Sequence, residues 1–353
     1  MKKFIEPFQN SKWIREDQYL QLDTYLNKKL LQAEEKRENY FQPDFSSAQN
    51  YAASLGAYRE DLNDLIGYPP SADDRQPSSR EIYVGEDELC RIYRLFIHAA
   101  DGLECYGIYM VPKKTNEKAP LMVCLHGYGG CPEMVCNFEG TFNYTDAGRR
   151  FVEEGYIVFA PFLIFRSHVD NDETIIPANM RLIMDERAKW VGSSLVAVEL
   201  FKLRRALDVL ESRTEVDSTN MGVAGLSYGG FYALFLAALD ERIQLCISSG
   251  YLNDRLVINE KLNDHLFDWT WKGAINRFSD AEIVGLICPR KCIIEFGIHD
   301  DLFPVEGARK VISKARTYFD RLGLSKQLQY IEFDGGHEFH LEEAIQSLRE
   351  ETR

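Results

Sequence analysis

Six residues, Gly225-Leu226-Ser227-Tyr228-Gly229-Gly230, constrain this chain more than any other stretch. They follow the apolar run Met221-Gly222-Val223-Ala224 and precede a second run, Phe231 to Leu239, with no charged residue in it. The first reads as a buried strand and the second as a buried helix. A strand that passes into a helix within so few residues turns too sharply for side chains at the flanking positions, and glycine fills them. The residue at the apex is held above the sheet edge, where the helix start also aims backbone N–H groups. The spacing Gly-x-Ser-x-Gly alone is weak evidence, and a structural serine in a glycine-rich turn is its bland reading. The strand-turn-helix setting makes Ser227 a candidate nucleophile.

The rest of the chain supplies the frame such a turn needs. Apolar segments at 92–98, 106–111, 121–125, 156–160, 221–225, 243–248, 291–296 and 328–333 read as strands, with Ala100-Asp101-Gly102 as a turn between the first two. Amphipathic stretches at 146–154, 195–210, 228–239, 305–322 and 338–348 read as helices between them. Strands alternating with helices predict a mostly parallel, doubly wound sheet covered on both faces. Residues 162–190 and 251–285 are too long for ordinary connections and follow strand C-termini, where open α/β sheets bind ligands. They are expected to be substrate-side insertions.

Residues 1–80 differ from the rest, and 81–353 are expected to form the α/β domain. Helical periodicity runs through 13–38 and again through 46–66, where Gly67 and the pair Pro69-Pro70 stop it. Ser71 to Arg80 reads as a linker. This helical extension is either a cap on the main domain or an oligomerisation arm, so a homo-oligomer is one expectation.

Composition excludes several classes. A chain of 353 residues with 45 % hydrophobic and 27 % charged residues has the balance of a globular enzyme. Its net charge of -14 argues against nucleic acid, whose phosphates require clustered Lys and Arg. No apolar run reaches the about 18 residues of a membrane-spanning helix, so no membrane partner is expected. Met1 to Asn10 has two lysines but no apolar segment after them, so export is not expected. The eight cysteines show no C-x-x-C pair and lie mostly in apolar strands, which fits reduced thiols and a cytoplasmic location.

A serine hydroxyl needs a base to remove its proton. Of seven histidines, four follow Ser227: His265, His299, His337 and His340. His337 closes Asp334-Gly335-Gly336-His337 after the last strand, and the glycines allow the chain to turn back over the sheet. It is the candidate base, while His340 is expected inside the following helix. The acid is expected after the preceding strand, in Ile298-His299-Asp300-Asp301-Leu302-Phe303-Pro304. A carboxylate there would fix the imidazole's tautomer and stabilise the imidazolium. Asp300 and Asp301 compete; Asp300 stands four residues before Pro304, a spacing by which the resemblance given below prefers it.

Acyl-transfer chemistry also needs donors for an oxyanion. The backbone N–H groups of Tyr228, after the serine, and Tyr128, in Leu125-His126-Gly127-Tyr128-Gly129-Gly130, are the candidates. His126 is expected to play a structural hydrogen-bonding part. Trp269, Trp271 and His265 in the second insertion and Arg166 in the first are candidates for substrate contact. For the tryptophans the alternative is a small core of the insertion itself, and for Arg166 a solvated loop. No metal-ligand or phosphate-loop pattern is present, and no cofactor is expected.

Four of these elements occur in the order seen in one group of enzymes: His126 to Gly130, Gly225 to Gly230, Asp300-x-x-Phe303-Pro304 and Gly335-Gly336-His337. Arg205 to Leu210, Val216-Asp217 and Ile287 to Arg290 are also similar to these enzymes. Residues from about 81 onward resemble the dienelactone hydrolase and acetyl xylan esterase-like branch of the α/β-hydrolase superfamily. The resemblance implies an α/β-hydrolase fold and hydrolysis of carboxylic esters, several members acting on acetylated sugars or other small esters. Dienelactone hydrolases proper carry cysteine where this chain has Ser227, and the Arg-Gly-Gln element of cephalosporin-C deacetylases is not found. The expected partner is a small-molecule ester. A peptidase or amidase on the same residues, or a non-catalytic ligand-binding protein on this fold, are the alternatives.

Overall fold

Nine strands form one sheet in the order β1-β2-β3-β5-β4-β6-β7-β8-β9. In chain order they are β1 (Ser79–Glu86), β2 (Cys90–Ala100), β3 (Leu103–Pro112), β4 (Ala119–Leu125), β5 (Ile157–Pro161), β6 (Val216–Leu226), β7 (Ile243–Ser249), β8 (Lys291–Gly297) and β9 (Leu328–Phe333). This structure is a computed structural model that describes residues 3–69, 78–114, 118–164, 180–261 and 267–351. The chain divides into two compact units, 1–42 with 273–278 and 43–272 with 279–353.

The sheet belongs to the larger unit. From β5 through β9 every neighbouring pair is parallel, while β1, β2 and β3 add antiparallel ribbons at one side. The central strands are largely buried because helices cover both faces: β5 and β8 are buried at every position. Strand β1 is exposed at seven of its eight residues. Without a buried face it has no alternating pattern, and periodicity alone assigns its first residues to a linker.

Strand order reverses around β4, whose neighbours are β5 on one side and β6 on the other. The loops leaving β4 and β6 therefore diverge at their C-terminal ends and open a crevice. Those loops carry His126 to Gly130 and Ser227. The helix after β6, Tyr228–Leu239, is buried at all twelve residues and packs on β6 and β7. That burial explains its lack of charge.

The two helices expected near the N-terminus are each broken once. The first is seen as Lys12–Leu31 and Ala33–Tyr40, the second as Ala48–Ser54 and Gly56–Ile66, ending on Gly67 at φ 77°. The second pair lies in the larger unit, where the Tyr51 hydroxyl donates to the Gly285 carbonyl at 3.0 Å. Residues 1–80 are thus shared between the two units. In the smaller unit Arg37 donates to the Ile275 carbonyl at 2.6 Å, and Tyr40 meets Phe278 edge-on at 5.6 Å.

The C-terminal helix differs from the expectation. It is Glu342–Glu351 rather than 338–348. Leu341 has φ 61°, a value no helix accommodates, so 337–341 form a loop and His340 lies outside the helix.

Candidate active site

Ser227 sits where β6 ends, at φ 58° and ψ -118°. A serine seldom takes this conformation, and the surrounding contacts hold it there. A Cβ on Gly225 would stand 2.2 Å from the Gly229 carbonyl oxygen, and one on Gly229 2.2 Å from that of Leu125. Both positions must be glycine for the strand and the helix to meet. The Ser227 N–H donates to the Ser249 carbonyl at 2.8 Å, tying the turn to the end of β7. Ser227 itself is 8 % exposed, so the turn is largely shielded from bulk water.

The loop after β4 runs beside it. A Cβ on Gly127 would lie 3.2 Å from Ser227 Cβ, so this backbone closes on the serine as only glycine allows. Tyr144 Oη accepts from the Gly127 N–H at 2.9 Å. His126 is fully buried; its Nε2 accepts from the Leu163 N–H at 2.9 Å, which leaves the hydrogen on Nδ1, donated to the Gly127 carbonyl at 2.9 Å. Burial lowers its pKa to about 4. It is a neutral strut between this loop and the start of the first insertion.

His337 and Asp300 meet on the other side. Imidazole Nδ1 is 2.7 Å from Asp300 Oδ2. The other carboxylate oxygen accepts from the N–H groups of Leu302 and Phe303 at 2.8 and 2.9 Å. Asp301 is exposed, and the imidazole's carboxylate neighbour is Asp300. The Phe303 ring stacks on the imidazole, centroids 5.7 Å apart and planes at 13°. Gly250, at φ 58°, lies directly below: a Cβ there would be 3.2 Å from His337 Nδ1 and Cε1. Since Gly250 follows Ser249, the partner of the Ser227 N–H, the serine and the imidazole converge at one end of the sheet. A Cβ on Gly297 would stand 2.2 Å from the Gly336 carbonyl oxygen, so glycine at 297 lets the segment ahead of His337 pack on the end of β8. His340 stacks on Phe333 at 4.2 Å and pairs with Glu343 at 2.8 Å, away from this cluster.

Of the insertion residues, Arg166 and His265 lie outside the described residues. Trp269 is 5 % exposed and packs on Tyr228 at 4.5 Å, Phe231 at 5.1 Å and Tyr251 at 5.1 Å. Trp271 lies 5.7 Å from Phe235. Both tryptophans extend the core of helix Tyr228–Leu239, and Trp269 also borders a small cavity with Tyr251, Asn253 and Phe303.

Three residues that sequence reasoning did not single out complete the surroundings. The fully buried Asp268 accepts from the Tyr228 hydroxyl at 2.8 Å and from Arg181 Nη2 at 2.5 Å. The Arg181 guanidinium lies 4.3 Å over the Tyr228 ring. Burial raises the Asp268 pKa to about 6 against the opposing pull of Arg181. Both residues come from the long connections, where no periodicity marks them. The third, Glu295, stands in β8 and is fully buried.

Residues 107–249 match the model of the Dienelactone hydrolase family. YtaP of Bacillus subtilis, assigned as a hydrolase, is 28 % identical over 290 residues, covering 79 % of this chain and 92 % of YtaP. A Bacteroides fragilis protein assigned as an acetyl xylan esterase superposes with a TM-score of 0.67 at 16 % identity, over 83 % of this chain and 78 % of that one. The acetyl xylan esterase from Paenibacillus sp. R4 superposes with a TM-score of 0.55 at 19 % identity, over 88 % and 97 % of the two chains. The matched segment begins in β3 and ends with β7, so it contains the β4 loop, the Ser227 turn and the helix behind it. The chain has the α/β-hydrolase fold, and its central segment is similar to the dienelactone hydrolase family.

Proposed function

We propose that this protein hydrolyses carboxylic esters through an acyl-enzyme on Ser227. One observation carries the reading: a serine held in a strained turn shares a sheet end with an imidazole whose Nδ1 is 2.7 Å from a buried carboxylate. In the proposed cycle Ser227 Oγ attacks the ester carbonyl carbon while His337 Nε2 takes its proton. Asp300 holds the Nδ1 hydrogen and offsets the imidazolium charge. The Tyr228 and Tyr128 N–H groups receive the oxyanion, each such donor contributing about 2.7–4 kcal/mol. His337 then protonates the leaving alcohol. Water, deprotonated by His337, attacks the acyl-enzyme and releases the carboxylic acid with the serine restored.

The acyl group proposed is small, acetyl being the first candidate, on a carbohydrate or another polar alcohol. Support for the substrate comes from the acetyl xylan esterases among the structural neighbours. The test is turnover of p-nitrophenyl acetate by the wild type and by Ser227→Ala, followed by acetylated xylo-oligosaccharides against longer acyl esters. A loss of several orders of magnitude in the variant is expected. Equal slow rates in both proteins would move an amide substrate or a ligand-binding role to the front.

A further inference from the structure

We infer that Glu295 is a positioning residue that sets the His337 loop against the Ser227 turn, an inference that rests on the hydrolase reading above. Glu295 lies in β8, opposite Ser249 in the parallel β7–β8 ladder, and is fully buried. Its carboxylate accepts from two segments. Oε2 takes the Ser249 hydroxyl at 2.5 Å, and Oε1 takes the Leu341 N–H at 2.8 Å. Its backbone carbonyl accepts from the Gly250 N–H at 3.0 Å.

Each partner leads to a reacting group. Ser249 offers its carbonyl to the Ser227 N–H at 2.8 Å, so the hydroxyl that Glu295 holds belongs to the residue that fixes the nucleophile's turn. Gly250 is the floor under the imidazole, where even a methyl group would come within 3.2 Å of Nδ1. Leu341 ends the loop that begins at His337, and its φ of 61° gives that loop a defined stop. The loop is also held from outside, where Asn143 Nδ2 donates to the His337 carbonyl at 3.2 Å and the Phe339 N–H donates to the Asn143 carbonyl at 2.8 Å. From within the sheet, the Glu295 side chain thus bonds to both the nucleophile side and the base side.

A purely structural core would place an apolar residue here, as at the neighbouring Ile293, Ile294 and Phe296. Burying a carboxyl is unfavourable unless it is hydrogen-bonded. Burial pushes the Glu295 pKa up, while the Ser249 hydroxyl and the Leu341 N–H pull it down. The group is tolerated because both oxygens are occupied, and those bonds fix two loops in register. A misplacement of about 1 Å between reacting groups costs about a hundredfold in rate.

The test compares the wild type with Ser227→Ala, Glu295→Gln, Glu295→Leu and Ser249→Ala. It reads kcat and KM on p-nitrophenyl acetate, the rate of Ser227 labelling by a fluorophosphonate, and the thermal midpoint. Glutamine keeps an acceptor for Leu341 and offers an N–H to the Ser249 oxygen, so Glu295→Gln is expected to retain most of kcat. Glu295→Leu is expected to lose about a hundredfold in kcat and in labelling rate, with KM little changed. Ser249→Ala removes only one of the bonds and is expected to lose about tenfold in the same two quantities; it decides the matter if the leucine variant fails to fold. Folded Ser249→Ala or Glu295→Leu with wild-type kcat would overturn the inference, as would glutamine failing as badly as leucine. If the wild type shows no Ser227-dependent turnover or labelling, the hydrolase reading and this inference fall together. If it does and the variants match it, only the role of Glu295 falls.

Discussion

Asp300 presents one carboxylate oxygen to His337 Nδ1 at 2.7 Å and commits the other to the N–H groups of Leu302 and Phe303 at 2.8 and 2.9 Å. The two backbone bonds close a tight turn that fixes the carboxylate before the imidazole meets it. The side chain therefore cannot rotate to offer either oxygen indifferently. This defines which aspartate faces the imidazole, although two stand side by side in the sequence.

Replacing Asp300 separates geometry from charge. Asp300→Asn is expected to lower kcat on p-nitrophenyl acetate about 10⁴-fold, because the amide favours the wrong imidazole tautomer. Asp301 is exposed, and Asp301→Asn is expected to leave kcat at the wild-type value. Equal losses in the two variants would mean that the carboxylate at Asp300 is not the one acting on His337.

His126 makes stability depend on pH. Burial lowers its pKa from 6.5 to about 4, so between those values the unfolded chain holds a proton that the folded chain lacks. Its contribution is intact above pH 6.5, and acidification to pH 4 removes roughly 3 kcal/mol of stability. Urea unfolding of the wild type and His126→Gln from pH 7 to pH 4.5 checks this. The wild-type stability is expected to fall more steeply, and parallel curves would show that His126 takes up its proton when folded.

The outline of this site is legible in the sequence because its parts are local. The Ser227 turn announces itself through glycines whose Cβ atoms would collide with backbone at 2.2 Å. Asp300 is legible through the resemblance, whose Asp300-x-x-Phe303-Pro304 spacing sets it apart from Asp301; its carboxylate accepts from the Phe303 N–H. Glu295 reads as one more strand residue: its partners Ser249 and Leu341 are each 46 positions away, and nothing local records a long-range bond. The last helix starts later than composition suggests because Glu338 to His340 are ordinary helical residues, while the break is a positive φ at Leu341, a residue type that gives no sign of it.

Arg181 and Asp268 form a pair that tolerates removal of both partners better than of one. Their side chains are 10 % and 0 % exposed. Asp268→Asn keeps an acceptor for the Tyr228 hydroxyl but leaves the guanidinium without its carboxylate, and is expected to cost about 3–5 kcal/mol. The double replacement Arg181→Met with Asp268→Asn, which keeps the acceptor for the Tyr228 hydroxyl, is expected to recover most of that loss. Urea midpoints of the single and double variants measure it, and additive losses would mean that the two side chains do not depend on each other.

Two glycine-to-alanine changes, chemically identical, are expected to act in opposite directions. Gly56 lies in the helix Gly56–Ile66, and a methyl group added there would meet nothing within 4 Å. Alanine at this position restricts the unfolded chain and is expected to add about 0.4–1 kcal/mol of stability. At Gly225 the same methyl would stand 2.2 Å from the Gly229 oxygen and 2.3 Å from its carbonyl carbon. Relief would require helix Tyr228–Leu239 to move off β6, and that helix is buried along its whole length with no slack against its neighbours. Gly225→Ala is expected to give insoluble protein, or to lower stability by more than about 4 kcal/mol, a size reserved for a few specific mechanisms. Thermal midpoints and soluble yield report both variants. If Gly225→Ala were folded and active, β6 and the helix would have room between them that the backbone positions deny, and the strain at Ser227 would have to arise elsewhere.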